Sequence, residues 1–506
     1  MSNGPLSSLD SYKKAARQLK KAHAKGDADA RARVAAHVDP KKALRHADFL
    51  HVIACEAGQD SWPKLKFVLE SAAMSRAEKA ERLKMALYFG QHWITEKLLQ
   101  DTPDLKDENF GLQIALYDLA SVRRTIEVDP DAAARIVGIR SPLLHLAFSK
   151  EIHRSPEKLR DMMSIAELLV AHGADVDDRY PAQPGQEHKL SALYGAMCHA
   201  DNFELGRWLL DRGADPNDDE SLYHSTELGQ TRALSLLLKH GAKPNGTNAL
   251  PRALDTENVD MVRLLLEAGA DPNLSVPDHP SGEPMDTIPS LHQAVRRGRS
   301  VAVIELLLEF GADPSAIWKG HTPYGLARIY GNRAAARYLE SRDHAPELSA
   351  NEQVLAKCAD GVPEPGKLRV QDLNDEDRCL LTNLVGEPGR LDHAKALVKA
   401  GLDPDMIDGM GMSPLHIAGW NGLVPETTFF LSFKPDLDRT NGYGGDALDT
   451  VLHGSEFAPQ RPEADHIMCA RLLLEAGSIL HPKFLTNCGN EEMAQFLEDW
   501  SAEAQS

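Results

Sequence analysis

The alternation of apolar and polar positions is clearest over residues 258–273, Asn-Val-Asp-Met-Val-Arg-Leu-Leu-Leu-Glu-Ala-Gly-Ala-Asp-Pro-Asn. Val259, Val262 and Leu265 recur at the spacing of one helix face, and the charged residues between them fall on the other face. Gly269 follows the apolar run, where a helix end favours a residue that adopts positive φ without strain. Asp-Pro-Asn then supplies turn chemistry. The pattern predicts an amphipathic helix, a glycine stop and a tight turn.

Two motifs recur in a constant order along the chain. The glycine stop followed by a turn returns at Gly173, Gly213, Gly241, Gly269, Gly311 and Gly401, with a weaker copy at Gly477. Upstream of several copies lies a Ser/Thr-Pro-Leu-His-x-Ala segment, best preserved at 413–418 and partly at 141–147, 290–294 and 322–327. This recurrence predicts an array of similar helical units, each of which buries its apolar face against its neighbours.

On these motifs the chain resembles the ankyrin-repeat family over roughly residues 80–503. The resemblance implies an all-α fold, an α-solenoid of about ten to twelve helix–turn–helix repeats with β-turn fingers. The first five stop glycines are 40, 28, 28 and 42 residues apart, against about 33 for a standard repeat. We therefore expect clipped turns at 215–220 and 243–248, and extended loops at 177–189 and 274–289.

The N-terminal segment lacks both motifs. Residues 49–58 followed by 61–66, Ser-Trp-Pro-Lys-Leu-Lys, resemble a helical module at the front of many bacterial ankyrin-repeat proteins. This resemblance makes Trp62 a packing residue. We expect four parts: a helical module over 1–75, an ankyrin array over 76–345, a helical, Pro/Gly-rich linker over 346–376, and a second ankyrin group with a C-terminal cap over 377–506. Acidic residues such as Glu492 and Glu498 suit a cap with a polar outer face.

Charge and composition narrow the partner class. The 506 residues carry a net charge of −19, although residues 1–46 hold 11 Lys/Arg against 4 Asp/Glu. An acidic array argues against nucleic acid as the main partner. No stretch approaches the roughly 20 apolar residues of a membrane span, and lysines interrupt the N-terminus where a signal peptide needs an apolar run. The six cysteines form no C-x-x-C pair, so we expect reduced thiols in a cytoplasmic protein.

Catalytic and metal-binding motifs are not found in the sequence. It has no H-E-x-x-H, no Cys/His cluster, no phosphate-binding loop and no nucleophile elbow. The ankyrin resemblance implies that His145, His292 and His416 bond neighbouring backbone and Ser/Thr hydroxyls. The glycine-rich segment 441–445 is interpreted as a turn between repeats. We therefore expect no enzymatic activity, no catalytic residue, no cofactor and no metal.

Candidate binding residues follow from the resemblance, since finger tips and first-helix faces of ankyrin arrays bind partners, mainly proteins. Transferred by position, the candidates are Arg179, Tyr180, Asp218, Asp219, Trp318, Lys319, Met406, Ile407, Trp420 and Arg439. The aromatic and Met side chains carry the most weight, because aromatic anchors dominate interface energetics. Asp218 and Asp219 are expected to be exposed charges of a finger.

Three functions remain open at this point. The first is a non-enzymatic scaffold or adaptor that binds a protein through the concave face and finger tips. The second is a divergent enzyme or metal-site protein, with its site in the N-terminal module or in the break of the array near 341–376. The third is nucleic-acid binding through the basic N-terminal head, which would show a steep salt dependence.

Overall fold

A computed structural model describes residues 8–39, 44, 46–183, 185, 187–274, 288–459, 461–482, 484 and 490–504. The chain divides into two compact units, one of Met74–Pro346 and one that combines Met1–Ala73 with Glu347–Ser506. None of the helices in this described part is both long enough and apolar enough to cross a membrane.

The unit Met74–Pro346 is built from successive helix pairs. Its α-helices are Arg76–Phe89, His92–Asp101, Phe110–Ala115, Leu119–Val128, Pro142–Ala147, Glu151–Arg154, Leu159–Ala171, Ala192–Tyr194, Phe203–Asp211, Ser221–Ser225, Arg232–Lys239, Ala249–Ala253, Val259–Glu267, Ser290–Arg296, Val301–Glu309, Pro323–Ile329 and Arg333–Ser341. Short 3-10 helices span Leu105–Glu108, Pro130–Ala133 and Pro156–Lys158, and Gly195–His199 forms a π-helix. The fold is therefore all-α in its main elements, as predicted.

The long repeat has an extended finger, and the two short repeats have short fingers. The extended loop forms an antiparallel hairpin of Arg179–Pro181 and Lys189–Ser191, with Tyr180 opposite Leu190. The short fingers at 215–220 and 243–248 contain bends and turns without strands, which confirms the predicted clipping. The second expected extended loop covers residues 274–289, and its residues 275–287 lie outside the described residues.

The helix Val259–Glu267 shows why the repeat begins and ends where it does. The side chain of Asn258 accepts a hydrogen bond from the N–H of Met261 at 3.1 Å, which caps the first turn. Met261, Val262, Leu265 and Leu266 are buried, so Met261 replaces the predicted Val259 on the core face. Gly269 has φ +92°, a conformation that strains any side chain.

Asn side chains of the Asp-Pro-Asn and Lys-Pro-Asn turns join successive repeats in a ladder, which we call the turn ladder. Asn245 Oδ1 accepts from the N–H of Asp271 at 2.8 Å, and Asn245 Nδ2 donates to the carbonyl of Gly269 at 3.0 Å. The same pair of bonds joins Asn217 to Lys243 N and Gly241 O, and Asn273 to Asp313 N and Gly311 O. The position needs an acceptor and a donor on one short side chain, which an amide supplies.

A charged cluster stabilises the clipped repeat. His224 Nε2 lies 2.8 Å from Glu220 Oε2, and His224 Nδ1 lies 2.8 Å from Glu227 Oε2. Burial alone lowers the pKa of His224, but the hydrogen bonds to the two carboxylates outweigh it and raise this pKa to about 9. Glu220 itself is buried, so the imidazolium compensates a carboxylate that is removed from water.

The other unit contains both ends of the described chain. Its α-helices are Leu9–Ala24, Ala28–Ala35, His46–Glu56, Trp62–Ala73, Ala350–Ala359, Asp375–Arg378, Leu380–Val385, Leu391–Ala400, Pro414–Trp420, Val424–Leu431, Ala447–Phe457, His466–Ala476 and Glu491–Ala504, with a 3-10 turn at Val370–Asp372. Trp62 is 4% exposed, which confirms its packing role. The helices Asp375–Arg378 and Leu380–Val385 are separated at Cys379.

The last helix contacts the N-terminal module instead of presenting a free acidic face. Met493 and Leu497 are fully buried. Arg17 forms an ion pair with Glu498 and donates from Nε to Gln495 Oε1 at 2.6 Å. Glu498, which was expected on a polar outer face, is partly exposed and binds the basic first helix.

The turn ladder yields a stability prediction. Asn245→Ala removes both bonds to the next turn, and we expect a loss of about 1–2 kcal/mol, since each such hydrogen bond contributes about 1 kcal/mol net. Hydrogen exchange should accelerate first in residues 241–274. Asn245→Asp is the matched control, since it keeps the acceptor for Asp271 N and loses only the donor. Equal exchange in the wild type and Asn245→Ala would contradict the ladder's role.

The His224 cluster yields a pH prediction. Because the folded pKa of about 9 lies above the unfolded value near 6.5, the stabilisation is fully present below pH 6.5. It is lost as pH rises through 9. Urea unfolding followed by circular dichroism should show the wild type losing about 2–3 kcal/mol between pH 6.5 and 9.5, relative to His224→Gln. Parallel pH curves for the two proteins would refute the assignment.

Candidate functional site

Tyr180 is a packing residue and not part of an open surface. It is 5% exposed, and Arg140 Nη2 donates to its hydroxyl at 2.6 Å. The Arg140 guanidinium lies 4.5 Å from the ring of Tyr180, 4.7 Å from that of Tyr88 and 4.8 Å from that of Phe148. The chain's own arginine therefore fills this aromatic box, and the prediction that Tyr180 faces a partner is wrong. Arg179, beside it, is half-buried and lies 3.9 Å from Asp215.

Asp218 is also misassigned by the sequence prediction. It is 1% exposed. Its Oδ2 accepts from the hydroxyls of Ser191 and Ser221, and its Oδ1 accepts from the N–H of Ser221 at 2.7 Å. The clipped finger turns this carboxylate inwards, where it caps the helix that follows. Asp219 points outwards and is exposed, with φ +71°.

Trp318 packs against its own finger and against His292, whose ring centre lies 6.3 Å from that of Trp318. It is 9% exposed, and its backbone forms a two-way bridge with His321. The Lys319 ammonium lies 4.7 Å from the centre of the Trp318 ring and covers it. Trp318 is therefore corrected from a binding residue to a packing residue, while Lys319 remains exposed.

Four candidates lie in the unit that combines Met1–Ala73 with Glu347–Ser506. Arg439 binds Asp405 twice, through Nη2 to Oδ2 at 2.9 Å and Nη1 to the carbonyl at 2.7 Å, so its guanidinium is engaged internally. Met406 is half-buried and Ile407 is 41% exposed. Trp420 is half-buried and lines a cavity of about 800 Å³. Of the four, Trp420 therefore takes part in a site with volume for a ligand.

This cavity, which we call the Trp420 groove, lies between two finger loops and two first helices. The helices Pro414–Trp420 and Ala447–Phe457 pack together, and the loops are residues 408–412 and 441–445. The apolar lining consists of Met410, Met412, Ile417, Trp420, Tyr443, Leu452 and Phe484, and the polar lining includes Asp408, Asn441, Asp449, Thr450, His453 and Glu456. Of the lining residues that the structure describes, three are acidic and none is Lys or Arg.

The Ser-Pro-Leu-His motif positions the first of these helices. Ser413 Oγ accepts from the N–H of His416 as N-cap and lies 2.8 Å from His416 Nδ1, and Pro414 occupies the first turn. Burial lowers the pKa of His416, so the imidazole is a neutral structural group. His145 bonds the carbonyl of Val137 at 3.0 Å, and His292 that of His321 at 3.1 Å. The predicted backbone-bonding role of these histidines is confirmed.

The two finger tips are linked directly. The N–H of Gly442 donates to the carbonyl of Met410 at 2.7 Å. A Cβ on Gly442 would lie 2.8 Å from that oxygen, so this close approach requires glycine. Asn441 Oδ1 accepts from the N–H of Tyr443 at 2.9 Å, an Asx turn. The predicted turn at 441–445 is confirmed.

Sequence reasoning missed the two most exposed apolar residues of the groove. Tyr443 is 81% exposed and Met410 is 50% exposed. The available signal was an aromatic residue held between glycines in a turn, where its side chain has little to pack against. Trp420 itself lies 5.4 Å from the His453 ring, centre to centre, so the groove has an aromatic wall and an exposed aromatic rim.

The part of the chain that the structure describes contains no candidate metal site, and the pKa values of two of its buried cysteines are raised rather than lowered. There, no three or more His, Cys, Asp or Glu side chains are grouped to hold a metal ion. Cys55, Cys198, Cys358 and Cys469 are free thiols, and Cys488 lies outside the described residues. Burial raises the pKa of Cys358 and of Cys469 to about 11, which keeps both as unreactive thiols.

Comparison with known proteins identifies the repeats. A family model described as "Ankyrin repeats (3 copies)" matches residues 193–276, and one described as "Ankyrin repeat" matches residues 290–319. No curated protein matches the chain.

Two solved structures are similar in part. The human ASB11 ankyrin repeat domain is 20% identical, over 51% of this chain and 99% of that one, with a TM-score of 0.23. The ankyrin repeat domain of Bcl-3, a member of the IkappaB protein family, is 17% identical over 50% and 97%, with a TM-score of 0.21. The family models, together with the helix pairs, show that this mostly helical chain contains ankyrin repeats.

Proposed function

We propose that the protein is a non-enzymatic scaffold, and that it binds a protein partner through the Trp420 groove and its two finger tips. Ankyrin repeats are in general protein-interaction modules, and their stacked surfaces suit this role. The observation that carries the proposal is the exposure of Tyr443 and Met410 at the groove's rim. Large apolar side chains grouped on a surface mark interaction sites.

The rigidity of the rim supports a role in binding. The backbone bond between Gly442 and Met410 and the Asx turn at Asn441 hold both tips in one conformation. Binding to a preformed surface avoids part of the entropy cost of ordering loops. Tyr443 and Trp420 then supply aromatic contact area of the kind that dominates interface energetics.

The remaining hypotheses have less support. Arg17 in the basic head binds Glu498 and Gln495, so part of that charge is already compensated before any nucleic acid binds. Asp408 accepts from the N–H groups of Met410 and Met412, which is a turn-capping role and not an acid–base role. We place the scaffold in the cytoplasm, the compartment that suits free cysteines.

Crosslinked pull-down from the native cell tests the proposal. Wild-type protein should recover a specific partner, and Tyr443→Ala should reduce recovery at least tenfold, since truncating an anchor costs about 2 kcal/mol or more. Tyr443 is exposed, so its removal leaves the fold intact. Val128→Ala, at an 87% exposed position of the other unit, is the control and should recover the partner normally.

Two outcomes would contradict the scaffold. One is the absence of any specific crosslinked protein with the wild type. The other is undiminished recovery with Tyr443→Ala, which would place the contact elsewhere.

A further inference from the structure

The charge of the Trp420 groove specifies its occupant more closely than its apolar walls do. We propose, building on the proposed function, that the groove binds a basic segment of the partner in extended conformation. A Lys or Arg side chain of that segment lies against Trp420 and Tyr443. The cationic head of this side chain faces the groove's carboxylates.

The first argument is the sign of the lining charge. Asp408, Asp449 and Glu456 line the groove, and the lining residues that the structure describes include no Lys or Arg. Two of these carboxylates are held in place by backbone donors: Asp408 accepts from Met410 N at 2.9 Å, and Asp449 accepts from Asp446 N at 3.2 Å. A cleft lined by one sign of charge concentrates ligands of the opposite sign.

The sequence around the groove adds to its negative electrostatic potential. Residues 401–459 contain nine Asp/Glu and two Lys/Arg. One of the two, Arg439, is bound by Asp405 at 2.9 Å. An acidic or phosphorylated segment would be repelled here, whereas a basic one gains both attraction and partial neutralisation.

The second argument is the aromatic wall. A cation over the face of a Trp or Tyr ring is attracted by the ring's quadrupole, most strongly with Trp. The (CH₂) stem of Lys or Arg can meanwhile cover apolar surface such as Met412 and Ile417. A single Lys or Arg side chain can therefore contact both the aromatic rings and the aliphatic side chains of the groove.

The chain uses the same chemistry within its other unit. Arg140 lies within 4.8 Å of three aromatic rings, and Lys319 lies 4.7 Å from the ring of Trp318. Those aromatic surfaces are covered by cations of the chain itself. The Trp420 groove has aromatic walls and carboxylates, and none of its lining residues within the described part of the chain is a Lys or Arg.

The size of the groove favours a peptide over a lone cation. Clefts of roughly 300–1,000 Å³ hold ligands of drug size. At about 800 Å³, the groove accepts one basic side chain and the apolar side chains beside it.

A library of labelled seven-residue peptides tests the proposal with the full-length protein. The central residue is Arg, Lys, norleucine, Gln or Glu, and the flanking positions are randomised. We expect the Arg and Lys pools to bind at least tenfold more tightly than the norleucine and Glu pools. Their binding should weaken as salt rises from 50 to 300 mM.

Charge-neutralising variants provide the matched control. Glu456→Gln should weaken binding of the Arg and Lys pools several-fold and leave the norleucine pool unchanged. Glu475→Gln removes an exposed carboxylate that does not line the groove, and it should bind as the wild type does.

The results separate this proposal from the scaffold itself. Equal or tighter binding of the norleucine or Glu pool would overturn the basic segment, and so would a wild type that binds none of the pools. The crosslinked pull-down with Tyr443→Ala decides independently whether a partner uses the groove. A partner recovered there without any preference for basic peptides would sustain the scaffold and refute this inference.

Discussion

The stacking of the repeats in the unit Met74–Pro346 depends on asparagine side chains that hydrogen-bond one turn to the next. Asn245 spans the gap between successive turns with one acceptor and one donor. Each helix pair is too small to bury its own apolar face, so its position depends on its neighbour. In the other unit, the backbone bond from Gly442 to Met410 links two neighbouring loops. The same constraint that stacks the repeats therefore also fixes the shape of the candidate binding surface.

Finger length decides which surfaces remain available. A clipped finger turns Asp218 inwards onto serine hydroxyls, and an extended one lays Tyr180 over Arg140. Asp218 and Tyr180 therefore both make their polar contacts with other residues of this chain. The fingers around the Trp420 groove instead leave Tyr443 exposed above carboxylates. A partner gains most where the chain has not already compensated its own charge and apolar area.

Features set by local chemistry could be predicted from the sequence. The helix over Val259–Glu267 and the stop at Gly269 follow from periodicity and backbone preference. The burial of Trp62 and the bonding of His416 follow from the same kind of local motif.

Features set by neighbouring repeats could not be predicted. Asp218 and Trp318 were expected outside because finger residues are usually exposed, but each folds back onto a side chain or backbone distant in sequence. The role of Asn245 was equally hidden, since its partners belong to the following repeat. Tyr443 was missed because the glycine turn around it was interpreted only as a connection.

A photo-reactive amino acid placed at position 443 of the full-length protein tests the central claim most directly. On irradiation in the native cell, the account predicts a crosslink to one partner, and mass spectrometry should place it within a few residues of a Lys or Arg in an exposed segment. The same group at position 128, also highly exposed, should not capture that partner. Capture at both positions alike, or a crosslinked segment rich in Asp and Glu, would contradict the account.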